Sequence, residues 1–183
     1  HRFGFIYFHI ALRQWIARVD GDLDFYTPDF ETIPHKPRRR GKPPSKILMR
    51  TKNHPLKPDA VFRFFHRGKS RLCLFEFHRE TVAGDIFKTL KTKHMEAINE
   101  GLPSKLYDHK GEDGQHLAHF VLSVHKNPAT MKGVQRRLSE WITNPGLLHC
   151  FHLNTLEQVK KDFSKGWVFP DSKSSPIFPG DAC

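Results

Sequence analysis

The sequence predicts an α/β domain whose mixed β-sheet is flanked by helices on both faces. Segments with the two-residue alternation of strands and segments with helical spacing follow one another along the chain. Their order is helix, strands, helix, strand, helix, strand. An antiparallel hairpin followed by strands that are separated by helices indicates parallel crossovers, and hence a sheet that contains both kinds of pairing.

The elements are assigned from periodicity and from turn residues. Phe3–Val19 has apolar residues at helical spacing and ends at Asp20-Gly21, and Phe25-Tyr26 is expected to form a short strand. Strands over Ala60–Phe65 and Arg71–His78 enclose a five-residue turn and form the hairpin. The later elements are a helix over Val82–Asn99, a buried strand over Leu117–Val124, a helix over Pro128–Ile142, a strand over Leu147–Leu153, a helix over Leu156–Phe163 and a strand over Trp167–Phe169.

Size and composition restrict the possible functions. The 183 residues suffice for one domain, which we assign to 1–170, while 171–183 is rich in Ser, Pro and Gly and is expected to be a disordered tail. Because the chain begins inside a predicted helix, we expect it to be part of a longer protein. No apolar run approaches the roughly 18 residues that span a bilayer. Three cysteines argue against a disulfide framework and for a reducing compartment.

The net charge points to a polyanionic partner. Thirty Lys and Arg against 19 Asp and Glu give +11, and nucleic acid is the first expectation. The loop 35–52 is the most basic segment, and its prolines disfavour a helix or a central strand. It could be only a solvated loop, but its one-sided charge favours an arm that binds DNA phosphates. The candidate DNA-binding residues are Lys36, Arg38, Arg39, Arg40, Lys42, Lys46, Arg50 and Lys52.

Two acidic residues of the hairpin form the candidate catalytic centre. Asp59 starts the first strand and Glu76 lies near the end of the second, so antiparallel pairing brings them alongside each other. Two neighbouring carboxylates repel unless a cation neutralises them, and such oxygen ligands suit Mg²⁺ or Mn²⁺. His78 lies two residues further on the same strand face, where it would serve as a third ligand, as a proton carrier or merely as a strand-end histidine.

Simpler roles remain open for these acids. Asp59 could be a turn residue that caps the loop. Glu76 lies between Phe75 and Phe77 in an otherwise apolar strand, and because a buried unpaired carboxylate is costly, a functional role is favoured. Glu80 is expected to be a solvated or helix-capping acid.

Pro58-Asp59 followed by Glu76-Phe77-His78 resembles the PD-(D/E)xK nuclease motif, with His78 where that motif has Lys. The resemblance implies a restriction-endonuclease-like mixed β-sheet flanked by helices. Leu56–Phe62, Leu74–Thr81 and the following helix with Lys91 are similar to the plasmid replication-relaxation family, which includes the MOBC-type mobilisation relaxases. The similarity covers roughly residues 1–100, and His78 stands where that family has Asp.

What this resemblance implies is a bacterial, cytoplasmic relaxase. Such an enzyme would nick one strand of supercoiled plasmid DNA at a transfer origin, with a divalent metal, for conjugative mobilisation. Other mobilisation proteins are candidate partners. A non-catalytic DNA-binding accessory module and a nuclease with a defence or repair role, both of the same fold, remain alternatives.

The nucleophile and the stabilising cation are inferred separately. The chain has no His-x-His, which excludes the relaxases that pair such a metal site with a tyrosine. None of Tyr7, Tyr26 and Tyr107 is expected near the carboxylates, so metal-activated water is the better nucleophile. At about 100° per residue, Lys91 falls at the edge of the apolar arc of its helix. It is our candidate for the missing catalytic lysine, against the alternative of a plain surface residue.

Overall fold

A computed structural model describes residues 2–31, 45–79, 82–175, 177 and 178. The described helices are α1 (Arg2–Arg18), α2 (Ala83–Thr89), α3 (Met95–Glu100), α4 (Leu102–Leu106), α5 (Pro128–Trp141), α6 (Pro145–Leu148) and α7 (Leu156–Lys161), and a π-helical turn, Leu90–His94, joins α2 to α3. The described strands are β1 (Asp22–Pro28), β2 (Met49–Arg50), β3 (Pro55–Leu56), β4 (Ala60–His66), β5 (Lys69–His78), β6 (Phe120–His125) and β7 (Phe151–Thr155).

Five of the strands form one mixed sheet in the order β1-β4-β5-β6-β7. The first three pair antiparallel, and the pairs β5–β6 and β6–β7 are parallel. Helices cover both faces of this sheet, which confirms the predicted α/β class. α1 packs with Phe8 and Leu12 against Phe62 and Phe75 on one face. α2 and α5 share a second apolar cluster with β6 and β7 on the other face.

The hairpin is tighter than the sequence suggested. β4 and β5 are joined by Arg67 and Gly68, whose φ angles of 50° and 71° are both positive. Turns of this kind match the right-handed twist of the strands they connect. The strands therefore extend into the predicted five-residue turn, and His66 pairs with Lys69. Leu72 and Leu74 face one apolar cluster and Cys73 and Phe75 another, as the alternation predicts.

Part of the predicted basic loop is packed rather than extended. Ile47 and Met49 are buried with Leu56 in a third apolar cluster, and β2 pairs with β3. Glu96 of α3 anchors this two-stranded ribbon, because its carboxylate accepts from the Thr51 hydroxyl at 2.7 Å and from the Asn53 backbone N–H at 3.0 Å. The apolar residues among the lysines and arginines were the sequence signal for this packing.

The sequence predicts a disordered tail from residue 171, whereas its described part folds back onto the domain. Ile177 and Phe178 are buried in the cluster under α1, and the Phe178 ring contacts Trp15 edge to face. Ser175 donates its backbone N–H to the Trp167 carbonyl at 2.9 Å. The large apolar side chains hold the segment, since burying such residues is favourable. Residues 176 and 179–183 lie outside the described ranges.

The structure also bears on a membrane location. No helix in the described ranges has both the length and the apolar character that a bilayer crossing requires.

Candidate functional site

Asp59 is fixed at the point where the chain enters β4. Its backbone N–H donates to the Phe75 carbonyl at 2.9 Å, and its own carbonyl accepts from the Asp29 N–H at 2.8 Å. The side-chain Oδ2 accepts from the Phe77 N–H at 2.7 Å. The carboxylate is thus held against the backbone of β5, next to the segment that carries Glu76.

Glu76 lies on the face of β5 that is covered by α2 and α3. Its Oε1 is 2.8 Å from Nε2 of His94, the last residue of the π-helical turn. The His94 side chain is fully buried, and 14% of the Glu76 side chain is exposed. The carboxylate is therefore held from within the domain by an imidazole while it still reaches solvent.

Electrostatics fix the protonation state of His94. Burial, and secondarily Lys93, lowers the pKa of His94 to about 3, although Asp59 acts in the opposite direction. The ring is neutral at pH 7, and because a carboxylate only accepts hydrogen bonds, its proton resides on Nε2. The buried Nδ1 has no hydrogen-bond partner among the described residues. His94 therefore orients Glu76 without neutralising its charge.

Asp59 and Glu76 open into the same cleft. Ala60 pairs with Phe75 across the two strands, so the next residues outward, Asp59 and Glu76, are neighbours. The cleft has a volume of about 410 Å³. Its lining residues are Asp59, Glu76, Phe77, His78, Asp85, Ile86 and Thr89. The cleft is acidic, and none of the described residues lining it is Lys or Arg.

His78 lies at the end of β5 and is the third predicted site residue in this cleft. It is 7% exposed, and its ring lies 4.9 Å from the ring of its β6 neighbour His125, centroid to centroid. His125 in turn contacts the buried Ser123 hydroxyl through Nε2 at 2.9 Å. Burial lowers the pKa of His125 to about 3, and His78 adds to this shift. His78 is thus supported from the neighbouring strand by a neutral imidazole.

The cleft offers two carboxylates, rather than three or more ligands, to a small hard cation. Among the described residues, no group of three or more His, Cys, Asp or Glu side chains is arranged to hold a metal ion. Mg²⁺ in proteins commonly takes one or two carboxylates and completes its shell with water and substrate phosphate. Asp59 and Glu76 provide such a pair, and Glu80 lies outside the described residues.

Lys91 is not in the cleft. Its Nζ lies 4.9 Å from the centroid of the Trp141 ring and 5.9 Å from that of Phe87. An edge position of the helical wheel can face either neighbouring element, and here Lys91 faces α5. A cation over an aromatic ring is electrostatically favourable, which accounts for this placement.

Tyr26 is closer to the site than the sequence indicated. Burial and, to a smaller extent, the Asp59 charge raise the pKa of Tyr26, so the phenol keeps its proton. Its hydroxyl is buried and has no hydrogen-bond partner among the described residues. A buried neutral phenol is a poor nucleophile.

The described basic residues lie on and beside the ribbon. Lys46 forms an ion pair with Glu31 at 3.1 Å, whereas Arg50 and Lys52 are exposed. The other five candidate DNA-binding residues, Lys36, Arg38, Arg39, Arg40 and Lys42, lie outside the described residues.

Sequence analysis missed two residues of the site that the structure supplies, His94 and Asp85. The signal for His94 was present: at about 100° per residue it lies near 120° from Val82, inside the apolar arc that runs to Ile98. A histidine in the middle of a buried face requires a polar partner. Asp85 lies in the first turn of α2, where an acidic residue is common and therefore uninformative.

Comparisons with known proteins give no match that bears on this site. No family model matches the chain, and neither the search of curated proteins nor the search of solved structures gives a match.

Proposed function

We propose that this chain is a divalent-metal-dependent DNA endonuclease of the relaxase or nickase type. It would cut one strand of supercoiled plasmid DNA at a transfer origin during conjugative mobilisation in the bacterial cytoplasm. The observation that carries the proposal is that Asp59 and Glu76, from adjacent strands, border one solvent-open cleft. The net charge of +11 supports a nucleic-acid partner.

The topology supports a restriction-endonuclease-like fold. That fold carries its acids on an antiparallel hairpin, which is followed by a helix and a parallel strand. Here Asp59 immediately precedes β4, Glu76 lies in β5, α2 is the next helix, and β6 pairs parallel to β5. The cleft lies at the end of β5 where the parallel pair also ends, and the carboxyl ends of parallel strands are common ligand sites.

Each residue of the cleft has a distinct role in the proposed reaction. Asp59 and Glu76 would hold Mg²⁺ or Mn²⁺, with His78 as third ligand or proton carrier. When bound, such a cation polarises the scissile phosphate and lowers the pKa of a bound water. His94 holds the Glu76 carboxylate in place through the Nε2–H bond. Hydrogen bonds of this kind to a ligand carboxylate commonly change metal affinity or activity 10- to 100-fold.

A plasmid-nicking assay with matched variants tests the proposal. Wild-type protein with Mg²⁺ or Mn²⁺ should convert supercoiled plasmid to open circles. Glu76→Gln and Asp59→Asn should lose at least about 100-fold in rate, since each amide keeps the acceptor oxygen but removes the charge. Glu157→Gln is the control, because it removes one exposed negative charge on α7. Equal nicking by Glu76→Gln and wild type would refute the proposed centre.

Metal binding can be measured separately from cleavage. Saturating Mn²⁺ should raise the Tm of wild-type protein, because a ligand that binds only the folded state stabilises it. The rise should be absent in Glu76→Gln and retained in Glu157→Gln. An identical rise in all three proteins would place the cation elsewhere.

A non-catalytic DNA-binding accessory module is the second candidate, and one observation favours it. The described lining of the cleft contains no Lys or Arg to stabilise a charged transition state, and Lys91 contacts Trp141 instead. DNA binding without metal-dependent nicking would establish this alternative. A nuclease with a defence or repair role would cut linear DNA as readily as a supercoiled plasmid that carries a transfer origin.

A further inference from the structure

Helix α1 has a second apolar stripe that faces away from the core. Its buried stripe contains Phe5, Phe8, Leu12 and Trp15. Four more apolar or aromatic residues at positions 3, 6, 7 and 10 repeat the helical spacing on another side. Their exposed fractions are high: Phe3 79%, Ile6 48%, Tyr7 46% and Ile10 49%. A surface helix is normally polar on its outer side, so a contiguous exposed apolar stripe indicates a binding surface.

Two residues of the stripe, Ile6 and Ile10, lie in the wall of a groove, which we call the α1 groove. Its lining residues are Phe5, Ile6, His9, Ile10, Asp29, Phe30 and Asp59, and its volume is about 600 Å³. Phe30 forms part of the opposite wall, is 62% exposed and contacts the Phe5 ring edge to face at 5.9 Å. A groove of this size, with aromatic walls and few polar groups, is of the kind that holds small planar ligands.

The α1 groove and the carboxylate cleft have Asp59 as a common lining residue. This residue lines both openings, one on the α1 face of the sheet and one on the α2 face. A chain whose backbone passes the carboxylates can therefore place an adjacent group in the groove without crossing the core.

Cations lie beside the apolar stripe. Lys160 Nζ lies 3.9 Å from the centroid of the Tyr7 ring, and Lys160 belongs to the exposed side of α7. Arg13 donates from Nε to His9 Nε2 at 2.8 Å. Aromatic surfaces flanked by basic residues are the pattern by which proteins bind single-stranded nucleic acid.

We propose that the α1 groove binds an unpaired nucleobase of the DNA strand whose backbone occupies the carboxylate cleft. The inference rests on the proposed function and specifies its substrate as a strand with locally unpaired bases. The base would stack on the exposed Phe30 ring and the α1 stripe. The polar groups of His9 and Asp29 at the groove lie where the edge of a base can be hydrogen-bonded.

The mixture of apolar and polar groups favours this occupant over a protein surface. The groove combines an apolar floor with the carboxylates of Asp29 and Asp59, while Lys57 pairs with Asp29 at 3.0 Å. A nucleotide carries an apolar ring face, polar ring edges and an anionic backbone, which match the stripe, the groove polar groups and the flanking cations in turn.

The test is a binding cycle, in which wild-type and variant proteins are each titrated against a normal and an abasic DNA strand. A fluorescein-labelled 12-nucleotide single strand and the same strand with abasic sites are titrated with the full chain in buffer without divalent metal, by anisotropy. Phe30→Ala and Ile6→Gln should raise the Kd for the normal strand about 5- to 100-fold. They should leave the Kd for the abasic strand within about two-fold, because only the base contact is lost. Leu106→Gln, at an apolar position of α4 that is 58% exposed, is the control and should leave both values unchanged.

Several outcomes would overturn the base site. If the variants lose affinity equally for the normal and the abasic strand, no base is bound in the groove. If the variants lose no affinity, or if wild-type protein binds neither strand, the base site is excluded. Sedimentation that shows a wild-type dimer, lost in Phe30→Ala, would assign the groove to a second copy instead.

Failure of the nickase and failure of the base site are distinguishable. The binding cycle is run without divalent metal and needs no cleavage, so its result does not depend on the outcome of the nicking assay. If the binding cycle gives the expected result but plasmid is not nicked, the chain is a single-strand-binding module. If nicking depends on Glu76 but the binding cycle shows no base-specific loss of affinity, the chain is a nickase without this base site.

Discussion

His94 Nε2 lies 2.8 Å from Glu76 Oε1, so a fully buried neutral imidazole holds the carboxylate that borders the cleft. The contact joins β5 to a π-helical turn, a rare element that often marks functional sites.

Removing the His94 donor should raise the metal concentration that nicking requires. His94→Leu takes away the N–H bond, and the Mg²⁺ concentration for half-maximal nicking should rise about 10- to 100-fold. His94→Gln retains a donor and should stay closer to wild type than the leucine variant. Titration of both variants against Mg²⁺ measures the effect, and superimposable curves for all three proteins would show that the contact does not position Glu76.

Lys91→Ala should cut plasmid like wild type. The ammonium lies over Trp141, so its loss should cost about 0.5–1 kcal/mol of unfolding free energy and no catalysis. Urea denaturation and the nicking assay measure the two quantities on the same preparation. A loss of nicking with unchanged stability would restore Lys91 to the catalytic centre.

Gly4→Ala should destabilise the protein although alanine favours helices. A Cβ at Gly4 would overlap the Phe77 ring, and forced overpacking typically costs about 1–3 kcal/mol. Gly84→Ala in α2 is the matched control: a Cβ there has nothing within 4 Å, so it should stabilise by about 0.5–1 kcal/mol. Urea denaturation of both variants decides the matter, and equal effects would contradict the close approach of α1 to β5.

The free energy of unfolding should fall between pH 7.5 and pH 5.0. Burial lowers the pKa of His119 and of His152 to about 3, against the usual 6.5. The unfolded chain therefore binds protons that the folded chain does not, and stability is lost as the pH falls below about 6.5. Urea denaturation at both pH values measures this loss, which should be smaller in His119→Leu. A flat profile above pH 5 would contradict the neutral buried histidines.

Replacing Arg38, Arg39 and Arg40 by Ala should weaken binding to every DNA sequence. If each arginine neutralises one phosphate, the slope of log K against log salt should become shallower by about 2–3. Glu31→Gln, which releases Lys46 from its ion pair, should leave that slope the same or steeper. An unchanged slope in the triple variant would exclude the arm from the DNA interface.

Local patterns predicted the elements better than their contacts. Antiparallel pairing of the hairpin put Glu76 next to Asp59, which is what the structure has. The helix after β5 also occupies its expected span. Its π-helical turn is not apparent in the sequence, because no residue type marks the change from i+4 to i+5 bonding.

Contacts with residues far away in the chain explain the positions that sequence patterns did not predict. Lys91 is oriented by Trp141, fifty positions away, which no helical wheel contains. The tail residue Phe178 is buried by α1, at the other end of the chain, although its neighbours have the composition of a loop. The β2–β3 ribbon is held by Glu96, which accepts from the Thr51 side chain and from the Asn53 backbone N–H.

The π-helical turn Leu90–His94 holds one residue more than a regular turn, and both His94 and Glu96 depend on that insertion. Winding all five of these residues as regular α-helix, with no deletion, would rotate everything after them by about 100° about the axis, because the extra residue would no longer be absorbed within one turn. The imidazole would leave Glu76 in the same step in which Glu96 leaves Thr51. Substitutions that keep both contacts therefore keep the irregular turn, whereas deletion of one of its residues would remove it.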